Sequence, residues 1–85
     1  MFSGREGRVR LRCVNAMVGV MLDRFGQDVI LVPDGPDHFT ITVEAVVSPQ
    51  FFGWLFGLGS GVTITAPDWA VTAYRDQLRA ALTQS

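Results

Sequence analysis

Arginine is the residue type in this chain best placed to do chemistry. Arg8, Arg10 and Arg12 are spaced two apart, with Val9, Leu11 and Cys13 between them. A period of two is that of a β-strand, so the three guanidinium groups form a row on one face while the apolar residues line the other. A guanidinium presents a planar fork of donors that matches carboxylates and phosphates. A second alternating segment carries Thr40, Thr42 and Glu44 in the same phase, and a third carries Thr63 and Thr65. Side by side in one sheet, Arg8, Arg10, Arg12, Thr40, Thr42 and Glu44 make a candidate site for an anionic effector or a phosphate backbone. The plainer reading is a solvated face on which Glu44 pairs with an arginine across the strands. The sequence leaves both open.

Other reactive residue types are sparse. His38 and Cys13 are each the only residue of their kind. A lone histidine beside a turn has no partner for a metal site, and Cys13, on the apolar side of its strand, reads as an inert buried thiol. One cysteine forms no internal disulfide and no cysteine-based zinc site. Asp34 and Asp37 flank Gly35-Pro36 and read as turn formers. The run Gly57-Leu58-Gly59-Ser60-Gly61 superficially resembles a phosphate loop. It follows a helical segment and precedes a strand, the reverse of what a dinucleotide or P-loop motif requires. No nucleophile–base pair emerges, so no catalytic residue, metal or cofactor is expected.

The charge balance argues the same way. The net charge is −1, with seven arginines, no lysine and eight carboxylates. Duplex binding draws most of its affinity from phosphate neutralisation and normally shows a basic excess, so direct duplex DNA binding is not expected. Base stacking of the RNA-recognition kind needs aromatics on the outward face of the central strands. Those positions hold arginine, threonine and glutamate, and Phe39 has the opposite parity. At 85 residues with an apolar fraction of 48 %, one domain with a core is expected over 1–85, of which 1–7 reads as a linker or an engineered start. The longest apolar stretch, Phe51 to Leu58, is interrupted by Gly53 and Gly57 and is far short of the ~20 residues of a membrane span. The first residues lack the apolar run of a signal peptide, so a cytoplasmic location with no membrane partner is expected.

The elements that hold these residues follow from periodicity. Residues 8–14 alternate and predict a strand. Asn15 is a candidate N-cap. Met17, Met21 and Phe25, with Val18 and Leu22 beside them, mark one helical face that Gly26 ends. Val29–Val32 predicts a second strand, and Pro33-Asp34-Gly35-Pro36-Asp37 a turn. Phe39–Val47 alternates again as a third strand. Ser48-Pro49 starts a second helix, with a capping hydroxyl and then proline where no amide is needed. Val62, Ile64 and Ala66 alternate with threonines as a fourth strand. A last helix runs from Trp69 to about Thr83, with Val71, Tyr74, Leu78 and Leu82 on one face. The order predicts an α+β fold, a ferredoxin-like βαββαβ sandwich with an added C-terminal helix over 8–83. Its four-stranded antiparallel sheet has the spatial order 4-1-3-2 and both crossover helices on one face.

One surplus remains. Phe51, Leu55 and Leu58 fit a core stripe that Trp54 can join, which leaves Phe52 and Phe56 near the flank. With Trp69 and Tyr74 they form a candidate interface. The competing reading is that so small a domain needs every aromatic in its core.

Several stretches resemble the C-terminal extension, or WCX domain, of bacterial WYL-domain helix-turn-helix transcriptional regulators. They are Val9-Arg10-Leu11-Arg12-Cys13, Leu22-Asp23-Arg24-Phe25-Gly26, Phe39-Thr40-Ile41-Thr42-Val43, Ser48 to Phe56 with its Phe-Gly-Trp-Leu core, and Val62-Thr63-Ile64-Thr65-Ala66-Pro67. The resemblance implies a ferredoxin-like regulatory and dimer-contact module that follows a WYL domain and a helix-turn-helix domain. The Trp-Tyr-Leu signature itself is absent here, which implies a fragment of a regulator. The expected role is that of a C-terminal regulatory and oligomerisation module with anionic effector sensing. Its expected partners are the upstream domains and further copies of itself. A stand-alone ferredoxin-like ligand-binding or dimerisation domain is the alternative, and a small enzyme the third reading.

Overall fold

The computed structural model describes residues 4–84. Strand β1 (Arg5–Val14) runs through a single-turn 3-10 helix (Asn15–Met17) into α1 (Val18–Phe25). Strands β2 (Leu31–Pro33) and β3 (His38–Val47) follow, then α2 (Pro49–Gly57), a second 3-10 turn (Gly59–Gly61), β4 (Val62–Ala66) and α3 (Asp68–Gln84). The sheet has the order β2-β3-β1-β4 with every neighbouring pair antiparallel. The expected order 4-1-3-2 and the α+β class are therefore both observed.

Alternation builds the core as expected. Val9, Leu11 and Cys13 of β1, Phe39, Ile41, Val43 and Val47 of β3, and Val62 and Ile64 of β4 are all buried. They pack in one cluster with Met21 of α1, Phe51, Phe52 and Leu55 of α2, and Ala70 of α3. All the helices thus cover one face of the sheet, and the other face is left open. Removal of this apolar surface from water is the main favourable term in the folding of so small a domain.

Several boundaries differ from the sequence reading. The first strand starts at Arg5, three residues early, so Arg5–Gly7 are part of the sheet; residues 1–3 of the expected 1–7 lead-in lie outside the described residues. Arg5 stacks on the Trp69 ring with its guanidinium carbon 4.1 Å from the ring centroid. The same indole lies against Gly7, where a Cβ would stand 3.0 Å from it. A bare glycine surface and a cation–π contact thus anchor the early strand beneath α3. Asn15 does not cap α1: its backbone N–H donates to the Asp37 carbonyl at 3.0 Å and its side-chain amide to the Pro36 carbonyl at 3.1 Å. It ties the end of β1 to the β2–β3 turn instead.

The second strand begins at Leu31 rather than Val29. Gly26, at φ 88, redirects the chain after α1, and Ile30 is left 76 % exposed. Pro33 faces Phe39. Asp34 N–H donates to the His38 carbonyl at 2.9 Å. Hydrogen-bonded pairs alternate along an antiparallel ladder, so Pro33 falls where no amide is needed. On α3, Leu82 leaves the expected buried face and is 75 % exposed. Beyond Ala70 none of the described side chains of the helix is fully buried.

Candidate anion-binding face and apolar groove

The open face of the sheet carries the arginine row. Arg8 lies opposite Glu44, Arg10 opposite Thr42 and Arg12 opposite Thr40. On the other flank, Arg12 faces Thr63 of β4. The register of β4 slips between Arg10 and Leu11, leaving Thr65 as the extra residue of a β-bulge. The Thr65 hydroxyl donates to the Arg10 carbonyl at 3.2 Å. All six residues expected from the sequence therefore share one surface, although Thr40 is half-buried at its edge.

The three guanidinium groups are not equivalent. Arg8 Nη2 stands 3.6 Å from Glu44 Oε1, with both side chains about 73 % exposed. So open and loose a pair contributes little to stability. Arg12 Nε donates to Asp34 Oδ2 at 2.8 Å, a charge-assisted hydrogen bond. The partner belongs to the turn after β2, which strand parity does not reveal. It sits beside the row because the hairpin turn folds back next to the end of β1. Arg10, in the middle, has no ion pair among the described residues. An anion arriving at this face would meet one uncommitted guanidinium, the Thr42 hydroxyl and two flanking arginines whose carboxylates it must displace.

Two concavities lie nearby. A shallow groove of about 530 Å³ is lined by Arg8, Thr42, Glu44, Phe25, Asp28 and Ile30, among others. Residues pointing to both faces of the sheet line it, so it follows the edge of β3. A second groove of about 380 Å³ lies between α2 and α3, lined chiefly by Phe52, Phe56, Tyr74, Leu78 and Leu82. Phe52 is at 1 % exposure and Phe56 at 66 %. Of the four residues read from sequence as an interface, Phe52 is therefore core, Trp69 and Tyr74 are partly buried against the core, and Phe56 alone is largely exposed. The Tyr74 ring covers Phe52, with centroids 5.1 Å apart, and its partial burial raises the phenol above its ordinary pKa.

The remaining reactive groups are used structurally. Cys13 is fully buried, and loss of water around the thiolate pushes its pKa up to about 11. The Ser48 hydroxyl accepts from Phe51 N–H at 3.2 Å as the cap of α2. Among the described residues no three His, Cys, Asp or Glu side chains gather as a metal site would require. No helix among them is long and apolar enough to cross a membrane.

An antiparallel sheet with helices on one face and an arginine row on the other defines a small α+β domain. A match to the model of the WCX domain over residues 5–82 gives that class a family, and the chain belongs to it. Searches of the curated proteins and of the solved structures found no match. WCX domains are regulatory C-terminal modules of WYL-type regulators.

Proposed function

We propose that this WCX domain receives an anionic effector on its arginine face and passes that state to neighbouring domains, or to a second copy, through the α2–α3 groove. The regulator it serves is of the WYL type, a bacterial transcription factor that contacts operator DNA through its helix-turn-helix domain. The observation that carries the effector reading is the unpaired Arg10 among hydroxyls, flanked by Arg8 and Arg12. The reading of contact through the groove rests on Phe56 and Leu82, large apolar side chains left open beside it.

Inorganic pyrophosphate is a suitable first probe of the face. It is expected to raise the melting temperature of the wild type at low ionic strength, through preferential binding to the folded state. Arg10→Ala is expected to lose that shift while melting normally without the anion. A wild type with no shift, or an Arg10→Ala variant with an undiminished one, would remove the effector reading.

A further inference from the structure

Strand β3 is ten residues long and β2 only three. β2 pairs with Phe39, Thr40 and Ile41. Beyond that point Thr42–Val47 has β1 on one side and, among the described residues, no strand on the other. The direction of its backbone groups follows from two hydrogen bonds. Asn15 N–H donates to the Asp37 carbonyl across the β1 side, and Asp34 N–H to the His38 carbonyl across the β2 side. Hydrogen bonding alternates between the two sides of an antiparallel strand. Thr42, Glu44 and Val46 therefore turn their N–H and C=O groups toward the open edge. A row of such groups is a template for another strand.

The surroundings specify what kind of strand fits. The 530 Å³ groove borders the start of this edge at Thr42–Glu44, with Phe25, Val29 and Val43 on the helix side and Arg8, Thr42 and Glu44 on the open side. Its charged side chains are two carboxylates, Asp28 and Glu44, against one guanidinium, Arg8, so its lining is net negative. Asp28 has no ion pair among the described residues, and Glu44 has only the loose contact with Arg8. We propose that the open edge of β3 at Thr42–Val47 docks an extended peptide segment of a partner protein whose side chains alternate apolar and basic. The backbone of that segment would bond to Thr42, Glu44 and Val46. Its apolar side chains would meet Val43 and Val29, and its basic ones the two carboxylates.

A second copy of this chain suits the edge poorly. β3 contains no arginine or lysine, and the two-fold pairing that matches Thr42 with Val46 sets Glu44 against Glu44. Like charges directly opposite are destabilising. The site is separate from the α2–α3 groove. It borders the anion-binding face and shares Thr42 and Glu44 with it, but the edge is read by pairing with a peptide backbone and the face by the pyrophosphate shift, so the two stand or fall apart.

The test is anisotropy titration of a labelled hexapeptide of alternating valine and arginine, at about 0.15 M ionic strength. A valine–glutamate hexapeptide is the control. Saturable binding of the first is expected, with the control weaker by about tenfold or more. N-methylation of one alternate set of peptide amides is expected to abolish binding and methylation of the other set to preserve it, because only one set faces β3. Glu44→Arg, at an exposed position, is expected to fold normally by circular dichroism and to reverse the charge preference. Phe56→Ser is expected to bind the peptide as the wild type does. No saturable binding, equal effects of the two methylation frames, or an unchanged preference in Glu44→Arg would each overturn the proposal.

Discussion

At the scale of single residues, environment and residue type together decide what each group does. Arg8 and Arg12 are chemically alike, but one makes a 3.6 Å contact in open solvent and the other a 2.8 Å hydrogen bond to Asp34. The difference lies in what the neighbouring loop supplies. Cys13 shows the same dependence on place. Burial raises its thiol from 9.0 to about 11, so the folded protein keeps the proton that the unfolded chain releases. Stability from the neutral thiol is therefore complete below pH 9.0 and lost as pH rises toward about 11. Urea melts at pH 8 and above pH 10 are expected to show that fall, and Cys13→Val to show a smaller one. Tyr74, also raised by burial, adds a loss in the same direction at higher pH in both proteins. At neutral pH the native thiol is expected to react with iodoacetamide only as fast as the protein opens. An alkylation rate equal to that of the unfolded chain would contradict this assignment.

At the scale of elements, the sequence was legible wherever one face meets water. Alternation in β1, β3 and β4 exposed Arg8, Arg10 and Arg12 and buried Val9, Leu11 and Cys13, because half-buried strands carry their orientation in their pattern. The start of α2 was equally clear, since Ser48 and Pro49 act locally. Ser48→Ala is expected to cost about 1 kcal/mol. In a domain of this size that lowers the melting temperature by about 4–8 °C, and calorimetry checks it; an unchanged melting point would show that the cap contributes nothing. Legibility failed where the pattern carries no phase. Val29 to Val32 is uniformly apolar, so nothing in it marks Leu31 as the first paired residue. Phe52 and Phe56 lie one turn apart in a helix that is apolar nearly all round. What buries the first is Tyr74, twenty-two residues away on α3, a contact set by tertiary packing and invisible to periodicity. Asp34 was missed as a partner of Arg12 for a related reason, since a turn residue's reach depends on how its hairpin folds back.

At the scale of the whole molecule, one sheet face and one layer of helices leave apolar surface that no second layer covers. Among the described residues, the large apolar side chains more than half exposed fall in two places: Ile30, Val32 and Val46 along the β2–β3 side, and Phe56 and Leu82 on the helices; Val18 of α1 is less exposed, at 37 %. The second group borders the groove between α2 and α3, where a two-fold partner would bury the same patch on both copies. The split between Phe52 and Phe56 makes that contact separable from folding. Phe52→Ser removes a fully buried ring, a loss of about 3–5 kcal/mol, against a total of about 5–15 kcal/mol for ordinary domains. It is expected to unfold the domain or leave it barely stable. Phe56→Ser, at a largely exposed site, is expected to change stability by about 0.5 kcal/mol or less. Sedimentation velocity over a range of concentrations, with circular dichroism on each protein, reads both effects. If α2–α3 joins two copies, the wild type sediments as a dimer at high concentration, and Phe56→Ser combined with Leu82→Ser returns it to a folded monomer. A wild type that stays monomeric throughout would remove self-association through this groove.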